Sequence, residues 1–295
     1  MRSQGVICPP ISLRPYGYLY PHDPKKSEKI PENSCICPRN GLHYSGTAAF
    51  APLFNFICEV YMITYGSRDK IFLLSGKNYS YCMYVNRMGI LQHLYWGRKI
   101  TAADACFLKA QRGVRAEPSE GDRNADMATG GMPQELGSFG RGDFRSATVV
   151  VRRKDGAAMS RFCYVSHKIV KGALPLQGMP CARKADETLT ITLRDALSDI
   201  ELDLNYSVSE DSDILVRNTV VRNAGKEAAE LEKAFSFCTE LPDTCGTRSA
   251  LRLAGAWASE RKPIVTPIAE GSLRIESLCG YSSHAMNPFL AVLSE

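Results

Sequence analysis

The side chains that could do chemistry are scattered along the chain rather than gathered into motifs. The five histidines are His22, His43, His93, His167 and His284, and none falls in a His-Glu-x-x-His or other local metal-ligand spacing. His93, in LQHLYW, and His167, in YVSHKIV, lie in segments of strand character, where a structural hydrogen bond is the expected role. The eleven cysteines form no Cys-x-x-Cys pair, and the close pair Cys35 and Cys37 lacks the second pair that a zinc site requires. An odd number in a chain of this length points to free thiols, most of them buried, in a reducing cytosol. There is no Gly-x-Ser-x-Gly elbow and no Gly-x-x-x-x-Gly-Lys loop, and Thr129-Gly130-Gly131 is weak as a nucleotide site. Carboxylates are plentiful, but most read as the wet side of a sheet. The residues alone give no catalytic group, no metal site and no cofactor site.

One short motif stands apart. FGRGDFR, Phe139 to Arg145, contains Arg-Gly-Asp and precedes the apolar run ATVVV. It can be read as an adhesion ligand, as part of a site, or as a turn that launches a strand. Gly140 and Gly142 permit positive φ, and Asp143 can accept hydrogen bonds from backbone donors in such a turn.

The elements that would position these residues are strands. DIELDLNYSV puts Ile200, Leu202, Leu204, Tyr206 and Val208 on one face and Glu201, Asp203, Asn205 and Ser207 on the other, as a half-buried antiparallel strand does. ETLTITLRD repeats the pattern with Leu189, Ile191 and Leu193. KIFLLS, YSYCMYV, ILQHLYW, SATVVVRR, RFCYVSHKIV, DILVRNTVVRN and SLRIESLCG are further candidates, separated by turn signals such as Lys154-Asp155-Gly156 and Asn223-Ala224-Gly225. GKEAAELEKAFSF has helical composition. It directly follows a strand and an Asn-Ala-Gly turn, however, and Leu231, Lys233, Phe235 and Phe237 alternate, so it is read as a hairpin return strand. Strands at this spacing predict an all-β chain, a sandwich of two antiparallel sheets. The segment from Ala102 to Ser138 is read as one long polar loop that buries little apolar area.

Composition and charge narrow the class. A net charge of +5, with basic and acidic residues interspersed, makes no nucleic-acid stripe. The most apolar window, AAFAPLFNFICEVYMITY, carries Pro52 and Glu59 and is too short to span a bilayer. A soluble, cytoplasmic protein is expected, with no nucleic-acid or membrane partner. Residues 1–61 hold eight of the sixteen prolines and show no sustained period. They are read as an irregular extension, either disordered or translated from an upstream start codon, ahead of a domain at 62–295.

GILQHLYWGRKI, GSFGRGDFR, FCYVSHKIVKGALPLQGMP, DETLTITLRD, LEKAFSFCTELPD, LRLAGAWASERK and SLRIESLCGYSSHAMNPFLAVL follow one another in this chain. In that order they resemble the N-terminal β-supersandwich domain of the α-galactosidases of glycoside hydrolase family 36, from Met62 to the last residue. The resemblance implies a retaining hydrolase of melibiose- and raffinose-type α-galactosides, needing two carboxyl groups about 5–5.5 Å apart and no cofactor. In the family both are aspartates on a (β/α)8 barrel that follows the sandwich, the nucleophile in a Lys-Trp-Asp motif. Here the two tryptophans, Trp96 and Trp257, lie in YWG and AWA. The expectation is a non-catalytic domain whose substrate is met through a separate or missing barrel. The alternative is a stand-alone carbohydrate-binding or scaffold module. The family also implies a homo-oligomer in which the loop Ala102 to Ser138 approaches a neighbouring subunit's substrate pocket. Asp122, Arg123 and Asp126 are the loop residues singled out for substrate or interface contact, against the alternative of a solvated loop. By resemblance, FGRGDFR occupies the place of a glycine-containing turn before a strand.

Overall fold

The structure, a computed structural model, describes residues 61–111, 132–140, 143, 145–178, 181–241, 248–269, 272–279 and 284–294. Apart from Tyr61, the proposed N-terminal extension lies outside the described residues, and so do Asp122, Arg123 and Asp126.

Two four-stranded antiparallel meanders form the body of the sandwich. The first runs β1 (Ile63–Gly66), β2 (Ile71–Ser75), β3 (Tyr79–Val85) and β4 (Leu91–Arg98) in spatial order. Alternation sends Phe72, Leu74, Tyr81 and Met83 inward and Ile71, Leu73, Cys82 and Tyr84 outward. Both sets are buried, because α1 (Ala102–Gln111) covers the outer face with Ala105 and Leu108. The helix begins at a reciprocal cap. Thr101 Oγ1 accepts from the Asp104 amide at 3.2 Å, and the Asp104 carboxylate accepts from the Thr101 amide at 2.8 Å. The expected loop from Ala102 is therefore corrected: its first ten residues are a capped, packed helix, and Met132, Gln134, Glu135 and Leu136 near its far end are buried.

β5 (Val149–Arg153) follows, and then the second meander: β6 (Phe162–Lys171), β7 (Glu187–Asp195), β8 (Ile200–Val208) and β9 (Val216–Asn223). The expected inner row of β8, Ile200 through Val208, is buried, as are Leu189, Ile191 and Leu193 of β7. These residues share one core with β1–β4, Val149 and Val151. The outer row of β8 is not simply wet. Asn205 is buried between Thr190 and Asn218, and Ser207 hydrogen-bonds Thr188 at 2.8 Å.

β10 (Ala229–Ala234) is a strand, as read from its alternation, but it does not return along β9. It pairs antiparallel with β5, Leu231 opposite Val151. Burying Val149 and Val151 would otherwise leave β5 without ladder partners, a costly state for backbone donors and acceptors. A last three-stranded sheet holds β11 (Arg248–Ala256) between β12 (Ser259–Pro267) and β13 (Met286–Ser294). The strand expected in SLRIESLCG does not form in residues 272–279; Leu273 and Leu278 are exposed and find no core. The chain is thus an all-β sandwich of antiparallel sheets. All six described cysteines are free, as expected, but only Cys82 is buried; Cys106, Cys181 and Cys279 are exposed. Cys82 is held by the interior of β3, whereas the exposed ones lie on the helix surface or in irregular segments.

Candidate functional site

Residues 133–135 run antiparallel beside β4: the His93 amide donates to the Pro133 carbonyl and the Glu135 amide to the Leu91 carbonyl. This short lane drives the Glu135 side chain into the core between the two meanders. There it is fully buried. Its Oε1 accepts from the Tyr81 hydroxyl at 2.6 Å and pairs with His93 Nδ1 at 2.8 Å, while its Oε2 accepts from the Tyr206 hydroxyl at 2.8 Å. Burial pushes the Glu135 carboxyl up, but the His93 contact, the Arg217 charge and the Tyr81 hydroxyl outweigh it and hold it below the ordinary carboxylate value. Tyr81 and Tyr206 are raised well above the usual phenol value, by burial first, so both remain donors.

Arg217, on β9, joins this cluster to the surface. It donates through Nη2 to the Glu135 carbonyl at 3.2 Å and through Nη1 to the Ser236 carbonyl at 2.9 Å. Its guanidinium lies 5.2 Å from the Tyr206 ring centroid and 5.5 Å from that of Phe237. Phe237 meets Trp96 edge-on at 6.1 Å, and Trp96 meets Tyr81 at 5.8 Å. The aromatic chain therefore returns to the phenol bound to Glu135. Trp96 and Phe237 line an open cleft of about 850 Å³, together with apolar Leu241, Leu290 and Val292 and polar residues that include Asp213, Thr239 and Arg248. Asp213 is held by the Asn78 amide and side chain at 2.7 and 2.8 Å. The arrangement can bind; it presents no nucleophile with a base beside it. Among the described residues no cluster of His, Cys, Asp and Glu has the composition of a metal site.

In the motif that contains Arg-Gly-Asp, the described residues are Phe139, Gly140, Asp143 and Arg145; Gly142 lies outside them. Gly140 has φ +85° and bridges to Asp143. A Cβ at Gly140 would come within 2.9 Å of Met159 Cγ. Asp143 is buried and accepts from the backbone amides of Ser138 and Arg145, each at 3.3 Å, and from Arg145 Nε at 2.9 Å. Arg145 also pairs with Glu240. A buried, fully engaged aspartate is no adhesion ligand.

His93 and His167 both lie in strands and make structural contacts; His167 Nδ1 sits 2.7 Å from the Tyr164 hydroxyl. The residues that sequence reasoning missed are Glu135, Arg217, Trp96 and Phe237. Glu135 carried no local signal, since it follows the polar Gln134 in GMPQELG.

The match to known proteins follows the same segment. The model of the glycosyl hydrolase family 36 N-terminal domain covers residues 89–295. The chain belongs to family 36. Among relatives of this family-36 domain, α-galactosidase 1 of Pediococcus pentosaceus is 34% identical over 239 residues, 79% of this chain but 32% of its own length. The bifunctional α-galactosidase/sucrose kinase AgaSK of Mediterraneibacter gnavus is 32% identical over 77% of this chain and 24% of its own. The crystal structure of the α-galactosidase AgaB from Geobacillus stearothermophilus superposes with a TM-score of 0.71 at 32% identity, covering 79% of this chain and 32% of that one. A variant of AgaA from the same organism, in complex with raffinose, matches with a TM-score of 0.69, covering 77% of this chain and 32% of that one. This family-36 chain therefore spans about a third or less of the relatives it matches, in their N-terminal segment.

Proposed function

We propose that this chain serves as the N-terminal, non-catalytic domain of an α-galactosidase that hydrolyses terminal α-galactosides such as melibiose and raffinose. The observation that carries the reading is the pattern of coverage: 79% of this chain matches only 32% of AgaB. A relative that binds raffinose, AgaA, supports the substrate class. Retaining hydrolysis needs two carboxyl groups about 5–5.5 Å apart, and the reading assigns both to polypeptide outside these residues. In this reading residues 62–295 are the domain proper and 1–61 an extension; the family match itself covers 89–295. Among the described residues no helix is long and apolar enough to cross a membrane. Cytoplasmic residence and a homo-oligomer belong to the same proposal.

Complementation tests it. The full chain is supplied to a version of AgaA from which the segment matching this chain has been deleted. Restored cleavage of a chromogenic α-galactoside is expected. If the deleted enzyme stays inactive in its presence, while the AgaA segment itself restores activity, the reading is overturned.

A further inference from the structure

Several exposed cations of the sandwich are matched by carboxylates: Arg152 by Glu232, Arg194 by Asp199, Arg222 by Asp203. The end of the first meander beside α1 is different. The turn β1–β2 carries Arg68 and Lys70, and the turn β3–β4 carries Arg87. All three are exposed, and none of them forms an ion pair among the described residues. The two turns are tied together, since the Val85 amide donates to the Lys70 carbonyl at 3.0 Å. Lys109, from the last turn of α1, closes a third side: its ammonium donates to the Asp69 carbonyl at 2.5 Å and lies 5.3 Å from the Tyr84 ring centroid. The carbonyl end of a helix favours a cation, so the fold accounts for Lys109. It does not account for Arg68, Lys70 and Arg87, because like charges held together repel. With Lys109 they line an open hollow of about 460 Å³, the size of a small organic ligand rather than of a single ion. Asp69 is the one carboxylate in its lining, and its Oδ2 is met by the Cys106 thiol at 3.7 Å, a weak donor. Burial and then Asp69 raise that thiol's pKa, against Lys109 and Arg68, so it stays a donor and not a nucleophile.

We propose that this hollow binds a hydroxyl-bearing phosphomonoester, a sugar phosphate by class, with Arg68, Lys70 and Arg87 on the phosphate and Asp69 accepting from a hydroxyl. A phosphate dianion satisfies several cations at once, and a guanidinium offers it forked donors. Asp69 repels a bare anion, but a hydroxyl that replaces the weak S–H donor turns the carboxylate into a contact. Val85 and Ala110 give the carbon skeleton an apolar wall. The inference is independent of the functional reading above.

Glucose 6-phosphate, inorganic phosphate and glucose are titrated into the full chain, with binding read by calorimetry and located by backbone amide shifts. Glucose 6-phosphate is expected to bind saturably and to move the amides of residues 68–70 and 86–88. Inorganic phosphate should bind more weakly, and glucose not at all. Arg68→Gln/Arg87→Gln should weaken glucose 6-phosphate about tenfold or more, as loss of charge-assisted hydrogen bonds does. Lys226→Gln/Lys262→Gln, which removes the same charge from exposed sites elsewhere, should bind as wild type does. Circular dichroism checks that both double variants are folded. Equal weakening by the two would mean diffuse attraction to a basic protein and overturns the site. Absence of saturable binding to wild type, or amide shifts confined to other residues, overturns it whatever the variants do. Inorganic phosphate binding as tightly as glucose 6-phosphate leaves a simple ion site and overturns the sugar-phosphate assignment.

Discussion

Glu135 shows what a single buried charge does in this sandwich. Its carboxylate takes two phenol hydroxyls and an imidazole nitrogen, from both meanders, inside a core that is otherwise apolar. Glu135→Leu would strand three polar partners in that core and remove the charge that faces Arg217. It is expected to cost about 3–5 kcal/mol, read as a lower urea midpoint at unchanged slope. A loss within experimental error would mean that water replaces the carboxylate. The folded carboxyl is held below its ordinary value near 4.5. Its contribution is therefore complete above that pH and is lost as pH falls through the lower folded value. Glu135→Gln, which cannot titrate, should flatten the stability profile on that acid limb. An unchanged profile would count against the network. Beyond the structural hydrogen bond expected of His93, the cluster was not legible beforehand, because the three partners lie 54, 42 and 71 residues away in sequence. Asp143 was legible, because the donors that hold it lie within five residues.

Among the elements, the strands that form the shared core were the readable ones. Half-burial imposes a period of two, and β7 and β8 carry it openly in Leu189, Ile191 and Leu193 and in Ile200 through Val208. The strands β11–β13 have no core to impose a pattern. RSALRLAGA and SERKPIVTP do not alternate cleanly, while SLRIESLCG alternates and is not a strand. Strand partners are a separate matter. Alternation identified β10, but its pairing with β5 depends on which edge needs covering. The helix α1 was missed although Thr101-Ala-Ala-Asp104 spells a capping box. Thr101→Ala removes the acceptor for the Asp104 amide. Amide exchange is expected to quicken across the first turn of α1 while β7 and β8 stay protected. Unchanged exchange there would mean that packing on Ile71 and Leu73, not the cap, fixes the helix start.

For the whole molecule, sequence order was more informative than any single motif. The ordered segments from GILQHLYWGRKI onward belong to family 36, and the all-β sandwich agrees with that membership. Limited proteolysis of the full chain is expected to trim residues 1–61 and stop near Met62; unfolding on their removal would place the extension in the domain. The central claim is that this chain is a domain of a glycosidase whose chemistry lies elsewhere. The most direct measurement is release of chromophore from an α-galactoside by the purified full chain, prepared in a host without α-galactosidase. The account predicts release no faster than a heat-killed control. Turnover clearly above that control would place the catalytic carboxylates within these 295 residues and contradict it.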